Sequence, residues 1–411
     1  MRDKISAIII DKDYKVHDYS EVKHHPSSEY AEKRYRLKIL DSGQNILHDI
    51  YDFRGVDAII TIGDKSDWQY LSKLPYAYRK KWTHLDEFNP NVVESRIVMT
   101  FRGNIEREKG PTSFSFFTCT HNTDEKVFRR LYNSMLAQTY YEWDWFILDD
   151  SSDDTTVKMI ENLKDPRITV LKTVSVHGNI GFNKHMIAMA CDGDYLVEVD
   201  HDDELTSDCL DMILRAVNKF PNSDFLYSNC LELKTSTDEA IMYGNGWGWG
   251  EGLTKTEVVN GKKYTFSETP GINPYTIRTI YAQPNHVRCW KKEFYHKIGG
   301  HNPEMSVLDD QELIIRTFLH GEMTKIEKVL YIQHEGDGER GVDTDNTQSV
   351  RFAEIQRTTM ILKGRFDDDI HRRIIELDHD DIAWDENYWC SILWRTHIPG
   401  LEMMNNFYIP E

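Results

Sequence analysis

The sequence lacks the long apolar run that would tie it to a membrane. Nowhere in the chain do about 18 consecutive apolar residues occur, the length that a membrane-spanning helix needs. The first residues, MRDKISAIIIDKD, contain only a four-residue apolar run. We therefore expect a soluble, cytoplasmic protein without a membrane span.

The sequence also lacks paired cysteines. Its six cysteines are widely spaced, none forms a CxxC pair, and most lie among apolar residues. This distribution excludes a disulfide scaffold and indicates reduced, structural thiols. The cysteines are Cys119, Cys191, Cys209, Cys230, Cys289 and Cys390.

An excess of positive charge is missing as well. The chain has 49 Lys and Arg against 68 Asp and Glu, which gives a formal net charge of −19. Such a chain is not attracted as a whole to nucleic acid or to anionic lipid, so we expect no nucleic-acid partner. A local site could still bind a phosphate through a metal ion.

What is present is a long, globular chain. Its 411 residues, 40% hydrophobic and 12% aromatic, exceed the usual size of one domain. We predict a small α/β domain of unknown role at 1–105, a polar linker at 102–113 that contains a Gly-Pro pair, and a main domain at 113–345. Residues 346–411 are predicted to form a helical C-terminal extension.

In the main domain, strand-like and helix-like segments alternate regularly. Such alternation is typical of βαβ units and predicts a mainly parallel sheet covered by helices on both faces. The predicted strands are 114–118, 143–148, 168–172, 195–199 and 225–227, and the predicted helices are 124–138, 155–163, 183–190 and 207–219.

Two of these strands end in acidic residues. The strand at 143–148 runs into the acids of 149–154, and the strand at 195–199 runs into those of 200–204. The carboxyl ends of parallel strands meet at one sheet edge, where ligands bind. Like charges this close repel unless some are protonated or a cation lies between them, so the pattern favours a divalent metal site.

Three alternatives compete with this interpretation. The acids could form a solvated turn. An EF-hand loop at 149–154 is excluded because Asp154 replaces the required glycine. Asp200 and Asp202 could act as nucleophile and acid of a phosphate-transferring hydrolase, although no clear second motif supplies its partner lysine.

Several motifs in order resemble the inverting family-2 glycosyltransferases of the GT-A fold. They cover about half of the chain. The motifs are FSFFTCTHN at 114–122, LYNSMLAQTYYEWDWFILDDSSDDT at 131–155, HGNIGFNKHMIAMACDGDYLVEVDHDD at 177–203 and IGGHNPEMSVLDDQELIIRTFLHG at 298–321.

The resemblance implies a nucleotide-sugar donor, a UDP-sugar by default, and a bound Mn²⁺ or Mg²⁺. Asp202 would ligate the metal and Asp200 would contact the ribose or, through water, the metal. Asp149 or Asp150 would accept hydrogen bonds from the base or ribose. Thr120 and Asn122 would line the nucleotide pocket, and Lys184 would approach phosphate or lie on a solvated helix face.

The acceptor side is implied by three further segments. Asp310 aligns with the general base, which removes a proton from the attacking hydroxyl, while Asp309 beside it or Asp310 itself could instead cap the helix. Trp247 and Trp249, between glycines, suit a lid over a sugar or a surface hairpin. His334 is a third metal ligand or a loop histidine.

We therefore predict a metal-dependent inverting glycosyltransferase that acts on a hydroxyl of a glycan or other acceptor. The alternative is a non-catalytic carbohydrate-binding or scaffold protein that keeps the fold. Arg316 is expected to pair with the acid at the start of its helix. The tryptophan-containing tail is expected to pack against a domain or against a second copy of the chain in a homo-oligomer.

Overall fold

The computed structural model describes most of the main domain and parts of the remainder. The described residues are 6–11, 36–40, 56–64, 79–90, 92–93, 96–97, 100, 111–173, 179–242, 254–269, 271–272, 277, 284–335, 345–376 and 404–407. The chain divides into two compact units. One comprises 1–113 with 141–144 and 158–169, and the other comprises 114–140, 145–157 and 170–411. The domain boundaries at 105 and 345 stay predictions.

The first unit contains a four-stranded parallel sheet in the order β2-β1-β3-β4. The apolar side chains of β1 and β3 that the structure describes, among them Ile9 and Ile60, are buried, as expected for strands covered on both faces. Ile97 is helical and packs into the same core. The strands are β1 Ser6–Asp11, β2 Arg36–Leu40, β3 Ala58–Ile62 and β4 Trp82–Leu85.

The second sheet has ten strands. The order is β16-β15-β10-β14-β8-β5-β6-β7, with β11 beside β10 and β9 beside β15. Its strands are β5 Phe114–Thr120, β6 Trp143–Asp149, β7 Ile168–Lys172, β8 Tyr195–Glu198, β9 Glu204–Leu205, β10 Phe225–Lys234, β11 Glu239–Ala240, β14 Arg288–Lys291, β15 Met323–Glu335 and β16 Met404–Phe407. A separate hairpin pairs β12 Thr254–Val259 with β13 Lys262–Ser267.

The sheet departs from the prediction at two strands. β14 runs antiparallel to both β8 and β10, so the sheet is mixed at its centre. β10 extends from Phe225 to Lys234, well beyond the predicted 225–227, because β15 pairs with it along its whole length. Pairing with a distant strand therefore extended a segment whose local pattern was weak.

Helices cover this sheet as the alternation predicted. The Asp124 side chain accepts hydrogen bonds from the backbone N–H groups of Lys126 and Val127, so the first helix begins with a regular N-cap. The helices are α1 Glu125–Leu136, α2 Thr155–Glu161, α3 Ile180–Met189, α4 Cys209–Lys219, α5 Lys292–Lys297, α6 Asp309–His320 and α7 Asp345–Glu376.

The C-terminal part is helical over α7, in agreement with the prediction, but it also contributes the edge strand β16, which was not predicted. Within the described residues, no helix is both long enough and apolar enough to cross a bilayer.

α3 starts where the chain passes very close to the segment before α6. The Gly181 N–H donates to the carbonyl oxygen of Met305 at 3.0 Å. A Cβ atom at Gly181 would lie 2.4 Å from the Asn302 carbonyl oxygen and 2.5 Å from that of Met305. Only glycine permits this backbone approach, which fixes the start of α3 against the 302–305 segment.

Candidate active site

The ends of β5 and β6 carry five polar residues that are joined by hydrogen bonds. Asp149 is fully buried, and its Oδ1 accepts hydrogen bonds from the hydroxyls of Thr120 (2.9 Å) and Ser151 (2.7 Å). The Asn122 N–H donates to Ser151 Oγ at 2.8 Å. The Asp150 N–H donates to the Thr120 carbonyl oxygen, and its side chain is buried. The structure thus brings together the four residues assigned to the nucleotide pocket.

The acidic loop after β8 is arranged differently. Asp203 is buried and accepts hydrogen bonds from the Tyr331 hydroxyl (2.7 Å) and the His334 N–H (2.9 Å). The Asp200 N–H donates to the oxygen of the same tyrosine at 3.0 Å. Burial and the neighbouring Asp202 and Asp200 carboxylates raise the pKa of Asp203 well above its ordinary value. This loop therefore holds the carboxylates of Asp200, Asp202 and Asp203 close to one another.

Asp202 and His334, the predicted metal ligands, make different contacts. Asp202 is partly exposed, and its carbonyl oxygen accepts a hydrogen bond from the Arg130 guanidinium. The His334 Nε2 lies 2.7 Å from Glu204 Oε1, at the start of β9. The metal-binding roles of both residues stay predictions.

Beneath this loop lies a buried charge, Glu198, in the middle of the sheet. Its Oε1 lies 2.5 Å from Lys184 Nζ, and its Oε2 lies 3.4 Å from Arg288 Nη1. Burial alone would raise the pKa of Glu198, but these two cations hold it well below its ordinary value. Glu198 is therefore ionised and forms ion pairs with both cations.

Lys184 points inward. It is buried, and its Nζ lies 3.9 Å from Asp309 Oδ2 in addition to its contact with Glu198. Burial disfavours the ammonium, yet the two carboxylates raise its pKa well above the ordinary value. A solvated helix face is excluded for this residue. A donor phosphate would have to compete with Glu198 for the ammonium group.

The two aspartates at the start of α6 differ in exposure. Asp310 is 19% exposed at its side chain, and its Oδ2 lies 3.0 Å from Arg288 Nη2. Asp309 is buried, and burial raises its pKa to about 7. Neither caps the helix, because Leu308 occupies the N-cap position in a left-handed conformation.

Arg316 does not pair with either aspartate, so that prediction is wrong. Its guanidinium binds Glu312 one turn earlier and the carbonyl oxygens of Ile298 and Gly300. The i, i+4 spacing on the helix places Glu312 nearer to Arg316 than Asp309 or Asp310.

Two buried histidines complete the cluster. Burial lowers the pKa of His286 to about 4 and that of His301 to about 3, so both are neutral at pH 7. The His286 Nε2 lies 3.4 Å from Asp200 Oδ2. The His301 Nε2 lies 3.7 Å from Asp309 Oδ2 and 3.8 Å from Glu198 Oε1.

Glu198, Asp200 and His286 have ligand atoms within 4.8 Å of one another. Glu198 does not fit a metal centre, however, because two cations already neutralise it. The carboxylates of the Asp200–Asp202 loop are oxygen donors of the kind that Mg²⁺ and Mn²⁺ prefer, and they do fit.

Sequence reasoning missed Glu198, Arg288, His286 and His301. The signal for Glu198 was a lone acid inside the apolar strand YLVEV, and that for Arg288 a lone cation in the buried segment VRCW. Such charges are costly unless paired, so each predicts a partner. Trp247 and Trp249 lie outside the described residues.

Comparison with known proteins gives one family match. Residues 115–238 match the model for glycosyl transferase family 2. The chain is 24% identical over 234 residues to the putative colanic acid biosynthesis glycosyl transferase WcaA of Escherichia coli (strain K12), covering 55% of this chain and 73% of that protein. It is 26% identical over 125 residues to the uncharacterized protein y4gI of Sinorhizobium fredii (strain NBRC 101917 / NGR234), covering 30% of this chain and 14% of that protein.

Solved structures similar to this chain include S. aureus TarS 1-349. The alignment has a TM-score of 0.44 with 15% identity and covers 68% of this chain and 75% of that one. The complex of TarS 1-349 with UDP-GlcNAc aligns with a TM-score of 0.45 and 16% identity, over 64% of this chain and 73% of that one.

Proposed function

We propose that this chain, a glycosyltransferase with a GT-A fold whose residues 115–238 match glycosyl transferase family 2, is a metal-dependent, inverting enzyme. Its donor is a nucleoside-diphosphate sugar, with a UDP-sugar as the default. Its acceptor is a hydroxyl group of a glycan or another molecule.

One observation carries this proposal. Arg288 contacts Asp310 at 3.0 Å and Glu198 at 3.4 Å, and Glu198 is two residues from Asp200 in the chain. The residue assigned to the acceptor side and the loop assigned to the donor side therefore lie next to one buried guanidinium. Transfer requires that donor and acceptor groups meet in this way.

The β5 and β6 ends suit a nucleoside. Asp149 Oδ2 is buried and has no hydrogen-bond partner among the described residues, while Oδ1 is held by two hydroxyls. A buried acceptor without a partner is costly, and an N–H donor of a nucleobase or a ribose hydroxyl would satisfy it.

The Asp200–Asp202 loop would hold the metal, with Asp202 as the first ligand and His334 as a further one. When bound, Mn²⁺ or Mg²⁺ neutralises the charge that develops on the diphosphate leaving group. The chain itself has a formal charge of −19 and offers little neutralisation to a diphosphate at this edge, because Lys184 and Arg288 are both bound to carboxylates.

Asp310 is the better general base of the two aspartates. It is partly exposed, so it can reach an acceptor hydroxyl, whereas Asp309 is buried near Lys184 and His301. Asp310 takes the hydroxyl proton as that oxygen attacks the anomeric carbon, and the sugar–phosphate bond breaks on the opposite face. This geometry inverts the configuration. Trp247 and Trp249 are proposed to cover the acceptor.

The test is a transfer screen against UDP-, GDP- and dTDP-sugars with Mn²⁺, Mg²⁺ or a chelator. We expect one donor to turn over only with metal, Asp202→Ala to abolish transfer, and Asp310→Asn to leave only a small, measurable residual rate. Asp154→Ala is the matched control, since its exposed carboxylate lies in the other acidic loop. Metal-dependent nucleotide binding without any turnover across a panel of acceptors would instead support a scaffold protein.

A further inference from the structure

Arg288 is held in the centre of the ten-stranded sheet. It is the first residue of β14 and lies directly across from Glu198 on β8 and from Tyr227 on β10. Only 1% of its surface is exposed. Strands on both sides fix its backbone, so its side chain starts from a rigid position.

The guanidinium is also fixed at its far end. Its Nε donates to the Pro284 carbonyl oxygen at 2.9 Å, Nη1 faces Glu198 Oε2 at 3.4 Å, and Nη2 donates to Asp310 Oδ2 at 3.0 Å. The guanidinium is a planar fork, and because each of its nitrogens faces a partner it is held in one orientation. Burial disfavours its charge, but Asp310 and Glu198 raise the pKa of Arg288 above its ordinary value, so it is always a cation.

Asp310 faces a small set of charged groups on several elements. Arg288 on β14 binds it directly, Asp309 precedes it, and Lys184 on α3 and the neutral His301 face the same cluster. Among the described residues, Arg288 is the cation within ion-pair distance of Asp310, since Lys184 is nearest to Glu198 and Asp309. On the other side of α6, Lys363 and Asp367 of α7 line a crevice at Gln311.

We propose that Arg288 is a positioning residue that holds the Asp310 carboxylate in the orientation needed to deprotonate the acceptor. This rests on the proposed role of Asp310 as the base. The second Asp310 oxygen accepts from the Gln311 N–H at 2.7 Å, so the carboxylate is held at both oxygens. Glu198 balances the charge of Arg288 and keeps the guanidinium from moving with the substrate.

Loss of this contact should affect turnover and spare donor binding. A base displaced by about 1 Å can lose about 10²-fold in rate. Arg288→Gln is therefore expected to lower kcat about 10²-fold, with the Kd of UDP and metal changed less than about twofold. Arg288→Lys keeps the charge without the fork and should recover part of that rate.

Arg316 supplies the matched control. It is another mostly buried arginine that binds a carboxylate and two carbonyl oxygens, but it does not touch Asp310. Arg316→Gln should lower the melting temperature and leave kcat of the folded fraction within about threefold of the wild type.

The experiment measures kcat, acceptor KM, UDP binding by calorimetry and melting temperature for these variants and for Asp310→Asn and Arg288→Gln/Asp310→Asn. We expect the loss from Arg288→Gln to vanish in the Asp310→Asn background, because the group being positioned is gone. If Arg288→Gln does not fold, Arg288→Lys in the same two backgrounds gives the comparison.

Two outcomes would overturn the positioning role while leaving the transferase intact. One is an equal loss of kcat from Arg288→Gln with and without Asp310. The other is a kcat of Arg288→Lys or Arg288→Gln near that of the wild type. Equal losses of kcat from Arg288→Gln and Arg316→Gln would show a merely structural role. A wild-type protein without transfer to any acceptor would overturn the proposed function itself, and the inference with it.

Discussion

The two acidic loops of this protein look alike in sequence but differ in chemistry. After β6, Asp149 is bound by the hydroxyls of Thr120 and Ser151, which are neutral donors. After β8, Asp200 and Asp203 contact Tyr331 and two histidines, and each lies near other carboxylates. Beneath them is a buried ion layer formed by Glu198, Lys184 and Arg288.

The difference lies in what each loop still needs. The first leaves one buried carboxylate oxygen that a single neutral donor would satisfy. The second concentrates negative charge that a cation would relieve. This difference fits the proposed division of a nucleotide sugar between the two loops, in which the first would bind the nucleoside and the second the diphosphate through a metal ion.

The largest effect is expected from a substitution in the second loop. Asp202→Asn should lower kcat about 10³-fold and should abolish the dependence of UDP binding on Mn²⁺, because it removes a charged ligand. Calorimetry with and without chelator checks the binding, and a coupled assay checks turnover. Metal dependence retained in the variant would move the metal site elsewhere.

The next effect concerns pH and the histidines near the second loop. His286 and His301 have pKa values of about 4 and about 3 in the folded state, against an ordinary value of 6.5. The folded protein thus binds fewer protons than the unfolded chain below pH 6.5. Stability should be independent of these histidines above pH 6.5 and should fall as the pH falls toward 4.

Asp309 acts in the opposite direction. Its pKa, raised from 3.8 to about 7, favours the folded state at low pH, and this contribution is lost as the pH rises through 7. The loss of stability that the two histidines cause between pH 6.5 and 4 is therefore partly offset by Asp309 and, in the same direction, by Asp203, whose pKa is also raised. Urea unfolding at both pH values measures it. His301→Gln should flatten the profile, and His121→Gln at the exposed first loop should not.

A smaller effect belongs to the first loop. Asp149→Asn should weaken UDP binding about 10- to 100-fold, the worth of hydrogen bonds to a charged group, and should leave the metal dependence of binding unchanged. Titration of UDP at several Mn²⁺ concentrations separates the two quantities. An altered metal dependence would mean that the two loops do not divide the ligand as proposed.

The smallest effect is expected from the exposed end of the first loop. Asp154 is 59% exposed and pairs with Lys172, a contact worth less than about 1 kcal/mol. Asp154→Ala should change neither UDP affinity nor kcat by more than about twofold. A larger loss would show that the ligand extends along the whole acidic segment.

The family and the fold were predictable because they rest on local patterns. Apolar strands ending in acids, Gly-containing turns and the motifs themselves each lie within a short segment. Residues 115–238, which contain most of three of the four motifs, match the model for glycosyl transferase family 2. The helix starting at Glu125, with its Asp124 cap, followed the same kind of local signal.

The buried ion layer was not predictable in the same way. Glu198 and Arg288 are 90 residues apart and meet because β14 inserts antiparallel between β8 and β10, a pairing that no local pattern specifies. Lys184 was expected at the surface or at a phosphate for the same reason, since its partner Glu198 becomes visible only in the sheet. Arg316 pairs with Glu312, four residues earlier on α6, and not with the aspartates two turns away at the start of the same helix.

The contact at Gly181 has a mechanical consequence. α3 carries Lys184 and α6 carries Asp310, and the backbone of Gly181 is pressed against the segment 302–305 that leads into α6. A side chain at this position would push that segment, and α6 behind it, away from α3. This close contact therefore opposes sliding of one helix past the other, and it holds the spacing between Lys184 on α3 and Asp310 on α6.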